Sequence, residues 1–134
     1  MKNLEVVAGI IFNEDGAILC TQRNISPFSY ISKKYEFPGG KIEAGESHQK
    51  ALKREIFEEL NIDIFVEDLF HTVEHNYPDF FLTMYSYRCI SNSSTISLNE
   101  HINYKWLNIN NLKPLDWAAA DLPIVDKLIS EYNE

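Results

Sequence analysis

The chain has 134 residues, 45% of them hydrophobic and 24% charged, which fits one globular domain and excludes wholesale disorder. Twelve Lys and Arg against twenty Asp and Glu leave a net charge of −8, which argues against binding nucleic-acid polymers through phosphate contacts. No apolar run approaches the roughly 18 residues of a membrane-spanning helix. Met1-Lys2-Asn3-Leu4-Glu5 lacks the pattern of a signal peptide, and Cys20 and Cys89 lie too far apart for a metal-like spacing. A single-domain, monomeric cytoplasmic protein over residues 1–134, in a reducing compartment, is expected.

Leu4 to Phe12 and Ala17 to Arg23 read as strands, with Asn13-Glu14-Asp15-Gly16 as the turn between them. Asn24 to Lys34 reads as a loop, broken at Ser26-Pro27, in which Phe28 and Tyr30 have no evident partner. Tyr35-Glu36-Phe37-Pro38 is short and extended, and Gly39 to Glu46, with three glycines, predicts a long turn. Ser47 to Asn61 is the most helical segment, Ser47 being its N-cap and Leu52, Ile56 and Leu60 its apolar repeat. Asp63 to His75 and Phe80 to Ile90 follow as strands, the second with alternating Phe81, Thr83, Tyr85 and Tyr87. A polar loop over Ser91 to Asn99 leads to a short strand at Tyr104 to Leu107. Asp121 to Tyr132 closes the chain as an amphipathic helix with Ile124, Val125, Leu128, Ile129 and Tyr132 on its apolar face. Mixed strands with two helices in so small a domain predict an α/β or α+β sandwich.

On a wheel of 100° per residue, Glu55, Glu58 and Glu59 fall within one arc of about 100°. Ala51 lies in the same arc one turn earlier, leaving room beside the acids. Leu52, Ile56 and Leu60 occupy the adjoining arc, so the carboxylates border the buried face. Three such neighbours repel one another. Arg54 relieves part of this by pairing with Glu58 at i,i+4, and a hard divalent cation such as Mg²⁺ or Mn²⁺ would relieve more. On the helix alone, a solvated acidic face is an equal reading. The glycines that precede the helix favour the cation, since they let backbone groups approach a bound ion or phosphate.

Residues 40–62 read glycine, five residues, Glu46, seven residues, then Arg54-Glu55-Ile56-Phe57-Glu58-Glu59-Leu60-Asn61-Ile62. This stretch resembles the Nudix box of hydrolases that cleave nucleoside diphosphates linked to another group. One position departs: the glycine usual before the last aliphatic residue is Asn61, which tolerates the left-handed conformation that ends a helix. The resemblance implies a mixed sheet sandwiched between helices and a requirement for Mg²⁺ or Mn²⁺. It implies metal ligation by Glu55, Glu58 and Glu59 with the carbonyl of Gly39, and supporting roles for Glu46 and Arg54.

Outside the box, Val7-Ala8-Gly9-Ile10-Ile11, Thr21-Gln22-Arg23, Glu36 to Glu43 and Tyr77-Pro78-Asp79 look like the MutT branch, as does Glu100 with Trp106. That branch cleaves nucleoside triphosphates to monophosphate and pyrophosphate by attack of water on the β-phosphorus. The likeness implies that Arg23, with Lys41, meets the phosphates. It also implies that Glu100 reaches the metal site as ligand or base, and that Glu55 or Glu58 is the other candidate for the proton. Each also has an ordinary reading: Glu100 as a loop acid and Arg23 as surface charge.

Ala118-Ala119-Ala120-Asp121-Leu122-Pro123 resembles the segment where such enzymes read the base. Asp121 matches the CTP pyrophosphohydrolase type, although an Asp near Pro also starts a helix. Tyr77 and Phe37 are candidate walls for the base, or else core. Cytidine nucleotides, their 5-methyl forms and oxidised purines such as 8-oxo-dGTP all stay open as substrates. ADP-ribose or a nucleotide sugar is the alternative, drawn from Pro78 sixteen residues beyond Ile62. A Nudix-like module that only binds a ligand is the non-enzymatic alternative, disfavoured because no box carboxylate is missing. His48, His71, His75 and His101 have no zinc-like spacing and read as structural or surface residues.

Overall fold

The structure, a computed structural model, describes residues 2–132. Its frame is β1 (Lys2–Phe12), whose Val7 to Ile11 are buried almost without a break. A strand apolar on both sides needs cover on both faces. It has that cover: Val7 and Ile11 face α1 (His48–Leu60), while Ala8 and Ile10 face α2 (Leu122–Tyr132). The expected sandwich is what forms.

Seven strands make one mixed sheet, with β2 (Ile18–Gln22), β3 (Tyr35–Glu36), β4 (Gly39–Lys41), β5 (Ile64–Asn76), β6 (Phe80–Ser91) and β7 (Asn103–Leu107) joining β1. The order is β3-β2-β1-β6-β5; β4 pairs with β1, and β7 pairs with β2. β1 runs parallel to β6 along its whole length, from Lys2↔Phe80 to Phe12↔Ile90. Against β2 it holds only one register pair, Phe12↔Ile18. The two strands therefore splay from the turn, β4 filling in beside β1 and β3 beside β2. This wedge places the site.

The turn at its apex is held by Asn13, whose side-chain oxygen accepts from the amides of Asp15 and Ala17. The Ser47 hydroxyl caps α1 by accepting from the amide of Lys50, and Asn61 ends the helix at φ 56°, ψ 40°. Four sequence expectations need correction. Gly39 to Lys41 is a strand, not part of a turn, because its backbone pairs with Val6 to Ala8. Asp121 precedes α2 in a 3-10 turn (Ala119–Asp121), and its carboxylate accepts from the amide of Phe37 instead of capping the helix. Phe28 and Tyr30 do have partners: Tyr30 stacks on Phe28 and on Tyr77, and its hydroxyl donates to Asp79 at 2.6 Å. Of the expected α2 face, Ile124, Val125 and Leu128 are buried, but Tyr132 is exposed. Among the described residues, no helix is long and apolar enough to cross a membrane.

Candidate active site

The wedge between β1 and β2 opens into a cavity of about 690 Å³. One wall is β4, and its two glycines are needed for different reasons. A Cβ on Gly39 would lie 1.9 Å from the carbonyl oxygen of Val7, so only glycine lets β4 cross β1 there. A Cβ on Gly40 would lie 2.3 Å from the carboxyl carbon of Glu55, so its absence makes the space in which Glu55 lies.

Arg54 organises the acids. Its Nε and Nη2 grip both oxygens of Glu46 at 2.7 and 2.9 Å, a bidentate pair of the strong kind. Nη1 reaches Glu55 at 3.2 Å and Glu58 at 3.1 Å, and Nη2 also donates to the carbonyl of Lys41. Glu46 in turn accepts from the amide of Glu43, closing the loop before the helix. The Arg54 hydrogen bonds hold the Glu46 carboxyl down at about 2.

The three box acids do not share one environment. Glu55 and Glu59 line the cavity with Glu100, whereas the Glu58 side chain is 59% exposed and turned to Arg54. Glu59 is only 9% exposed, and its buried Oε1 has no hydrogen-bond partner among the described residues. Burial first, then the charges of Glu55, Glu100 and Glu36, push its carboxyl up to about 9. Burial likewise raises Glu55. Among the described residues no three His, Cys, Asp or Glu side chains are already drawn close enough to hold an ion. The orphaned oxygen, the mutual repulsion and the cradle at Gly40 nonetheless fit a cation held by oxygen donors.

Arg23, Phe37, Lys41, Tyr77 and Asp121 also line this cavity, so every expected phosphate or base contact converges on it. Phe37 stacks on Trp117 with centroids 4.8 Å apart, and the Tyr77 hydroxyl accepts from the amide of Ala120. Both rings are buried and border the cavity, so core and wall are one role here. Burial, then the charge of Glu36, raises the Asp121 carboxyl well above the ordinary carboxylate range. The protonated acid is thereby favoured, which can donate as well as accept. Glu46, Arg54 and Glu58 stand behind this surface.

Two residues at the site escaped the sequence reading. Glu36 accepts from Arg23 Nη1 at 3.1 Å, and its other oxygen meets His101 Nε2 at 3.0 Å. His101 is buried and lines the cavity; it is not a surface residue. Its signal in the sequence was only its position next to Glu100.

The NUDIX domain family profile matches residues 2–128. The chain belongs to the Nudix family. It is 40% identical to an 8-oxo-dGTP diphosphatase of Haemophilus influenzae over 98% of this chain and 96% of that one. It is 31% identical to a CTP pyrophosphohydrolase of Escherichia coli over 97% and 94%. Among solved structures, the Nudix hydrolase MutT of methicillin-resistant Staphylococcus aureus is similar at a TM-score of 0.73. The identity is 42%, over 98% of this chain and 99% of that one. As in other Nudix hydrolases, the bonds to be cleaved are phosphoric anhydrides, and the MutT likeness read from the sequence agrees with these relatives.

Proposed function

We propose that this Nudix hydrolase cleaves a nucleoside triphosphate to the monophosphate and pyrophosphate, with Mg²⁺ or Mn²⁺ as its cofactor. The observation that carries this reading is Glu59, a buried carboxylate with an unpartnered oxygen beside Glu55 and Glu100, facing a cavity that also holds Arg23 and Asp121. Glu55, Glu59, Glu100 and the carbonyl of Gly39 would hold the cation, with Glu58 at its outer edge. When bound, a divalent ion polarises phosphate oxygens and lowers the pKa of water.

The chain's own groups supply the rest. Arg54 fixes Glu55 and the Glu46 loop, so the acidic floor keeps its shape. Arg23 and Lys41 attract the phosphates. Phe37 and Tyr77 bound the base, and Asp121 offers it a donor as well as an acceptor, a pattern that serves either an oxidised purine or a cytosine edge. Water adds to the β-phosphorus, the bond to the α-phosphate oxygen breaks, and Glu55 or Glu100 takes the proton. With 8-oxo-dGTP as substrate, the reaction would remove damaged precursors from the nucleotide pool. The protein is read as an independent monomer that engages no nucleic-acid polymer.

A panel of CTP, dCTP, 5-methyl-dCTP, 8-oxo-dGTP, unmodified triphosphates and ADP-ribose, assayed with Mg²⁺ and with Mn²⁺, tests this. Pyrophosphate release from a triphosphate is expected, and ¹⁸O from labelled water should appear in pyrophosphate. Label confined to the monophosphate would overturn the β-attack, and turnover of ADP-ribose alone would overturn the substrate class. Asp121→Asn should reorder the panel, and an unchanged order would remove Asp121 from base recognition.

A further inference from the structure

Arg23 is tied down at one end and unpartnered at Nε, among the described residues. Its Nη1 donates to Glu36 at 3.1 Å, while Nε is buried and has no partner among the described residues. Buried polar groups are nearly always paired, so an orphaned guanidinium nitrogen in a cavity wall points to a partner from outside. The edge formed by Nε and Nη2 is the one with which Arg54, in the same chain, grips both oxygens of Glu46. A phosphate group offers two oxygens in the same way.

Arg23 lines the cavity, and what holds its guanidinium in place is the group behind Glu36. The carboxylate paired with Arg23 is an acceptor, so at 3.0 Å His101 Nε2 carries the hydrogen and donates it. The imidazole is itself enclosed, its side chain 5% exposed, and with Nδ1 unpartnered among the described residues it is burial that limits the ring. The chain on either side of it is pinned. The amide of Asn99 donates to the Glu59 carbonyl, its side-chain amide donates to the Glu58 carbonyl, and the amide of Ile102 donates to Gln22. An isolated Arg–Glu pair of long side chains would spread over many rotamers. With His101 on the second oxygen, Glu36 is confined, and Arg23 with it.

We propose that His101 is a positioning residue for phosphate binding: through Glu36 it holds the Arg23 guanidinium so that its Nε–Nη2 edge meets one substrate phosphate bidentately. This rests on the triphosphate reading given above.

The test compares His101→Gln with His101→Asn. The Gln amide nitrogen falls near the place of Nε2 and can still donate to Glu36; the Asn amide stops near Nδ1 and cannot. His101→Asn should raise KM for the preferred triphosphate about tenfold, the amount one charge-assisted hydrogen bond supplies, with kcat within about twofold. Affinity for inorganic pyrophosphate, measured by calorimetry, should fall in parallel, and His101→Gln should restore both to within about threefold of wild type. In an Arg23→Lys background, which lacks the bidentate edge, His101→Asn should add little. Equal KM in the Asn and Gln variants, a loss confined to kcat, or full additivity with Arg23→Lys would overturn the proposal. If circular dichroism shows the Asn variant unfolded, Glu36→Gln replaces it: the same KM-only rise supports the proposal, and an unchanged KM overturns it. A folded wild type that cleaves no triphosphate would instead overturn the triphosphate reading, and this inference with it.

Discussion

At the scale of single residues, the two adjacent glycines of β4 do different work, and substitution separates them. An alanine at Gly39 would put its Cβ against the backbone of β1, which cannot yield without moving two strands. Gly39→Ala is therefore expected to destabilise the fold by about 1–3 kcal/mol or more, read from denaturant midpoints. At Gly40 the obstacle is the end of a side chain, the Glu55 carboxylate, which can swing away. Gly40→Ala should stay folded, with a melting temperature near wild type, yet lose activity because Glu55 is displaced. A Gly40→Ala variant with normal turnover would remove Glu55 from the working site.

At the scale of elements, α1 and the loop before it carry most of the legible information. Its caps, its apolar repeat and its acids are local in sequence, so Ser47, Asn61 and the border position of Glu55 and Glu59 could be read directly. What could not be read is what distance in the chain conceals. The pairing of β4 with β1, the stacking of Tyr30 on Tyr77 and the Glu36–His101 contact join residues between 30 and 70 positions apart. Asp121 lines the cavity, but its carboxylate answers to Phe37, 84 residues away, and not to its own helix. Asn61 pays part of the left-handed penalty that glycine avoids, so Asn61→Gly should hold or raise stability while Asn61→Ala lowers it by about 1 kcal/mol. Glu46 is held near 2 by Arg54, below its ordinary 4.5, so the folded chain binds fewer protons than the unfolded one. Its stabilising contribution is complete above pH 4.5 and is lost as pH falls toward 2. Urea midpoints between pH 5 and pH 2 should show this loss, and Glu46→Gln should flatten it.

For the molecule as a whole, the charge of −8 is not spread evenly: six of the twenty acids lie between residues 36 and 60. The wedge between β1 and β2 gathers six of the chain's acids, Glu36, Glu43, Glu55, Glu59, Glu100 and Asp121, around one cavity, with the cations Arg23 and Lys41 in the same lining. The buried oxygen of Glu59 has a consequence for how such a protein can change. Without a cation, the folded chain holds a proton on Glu59 that the unfolded chain releases, because its carboxyl is raised to about 9 from an ordinary 4.5. Stability from this group is present below pH 4.5 and declines as pH rises toward 9. Glu59→Gln abolishes that decline, so the metal-free variant should melt higher than metal-free wild type at pH 8, while turnover falls sharply. A variant that melts lower at that pH would show the carboxylate to be a structural support. Any selection for heat resistance alone would then drift toward silent enzymes, and only selection that also demands turnover would keep the acid in place.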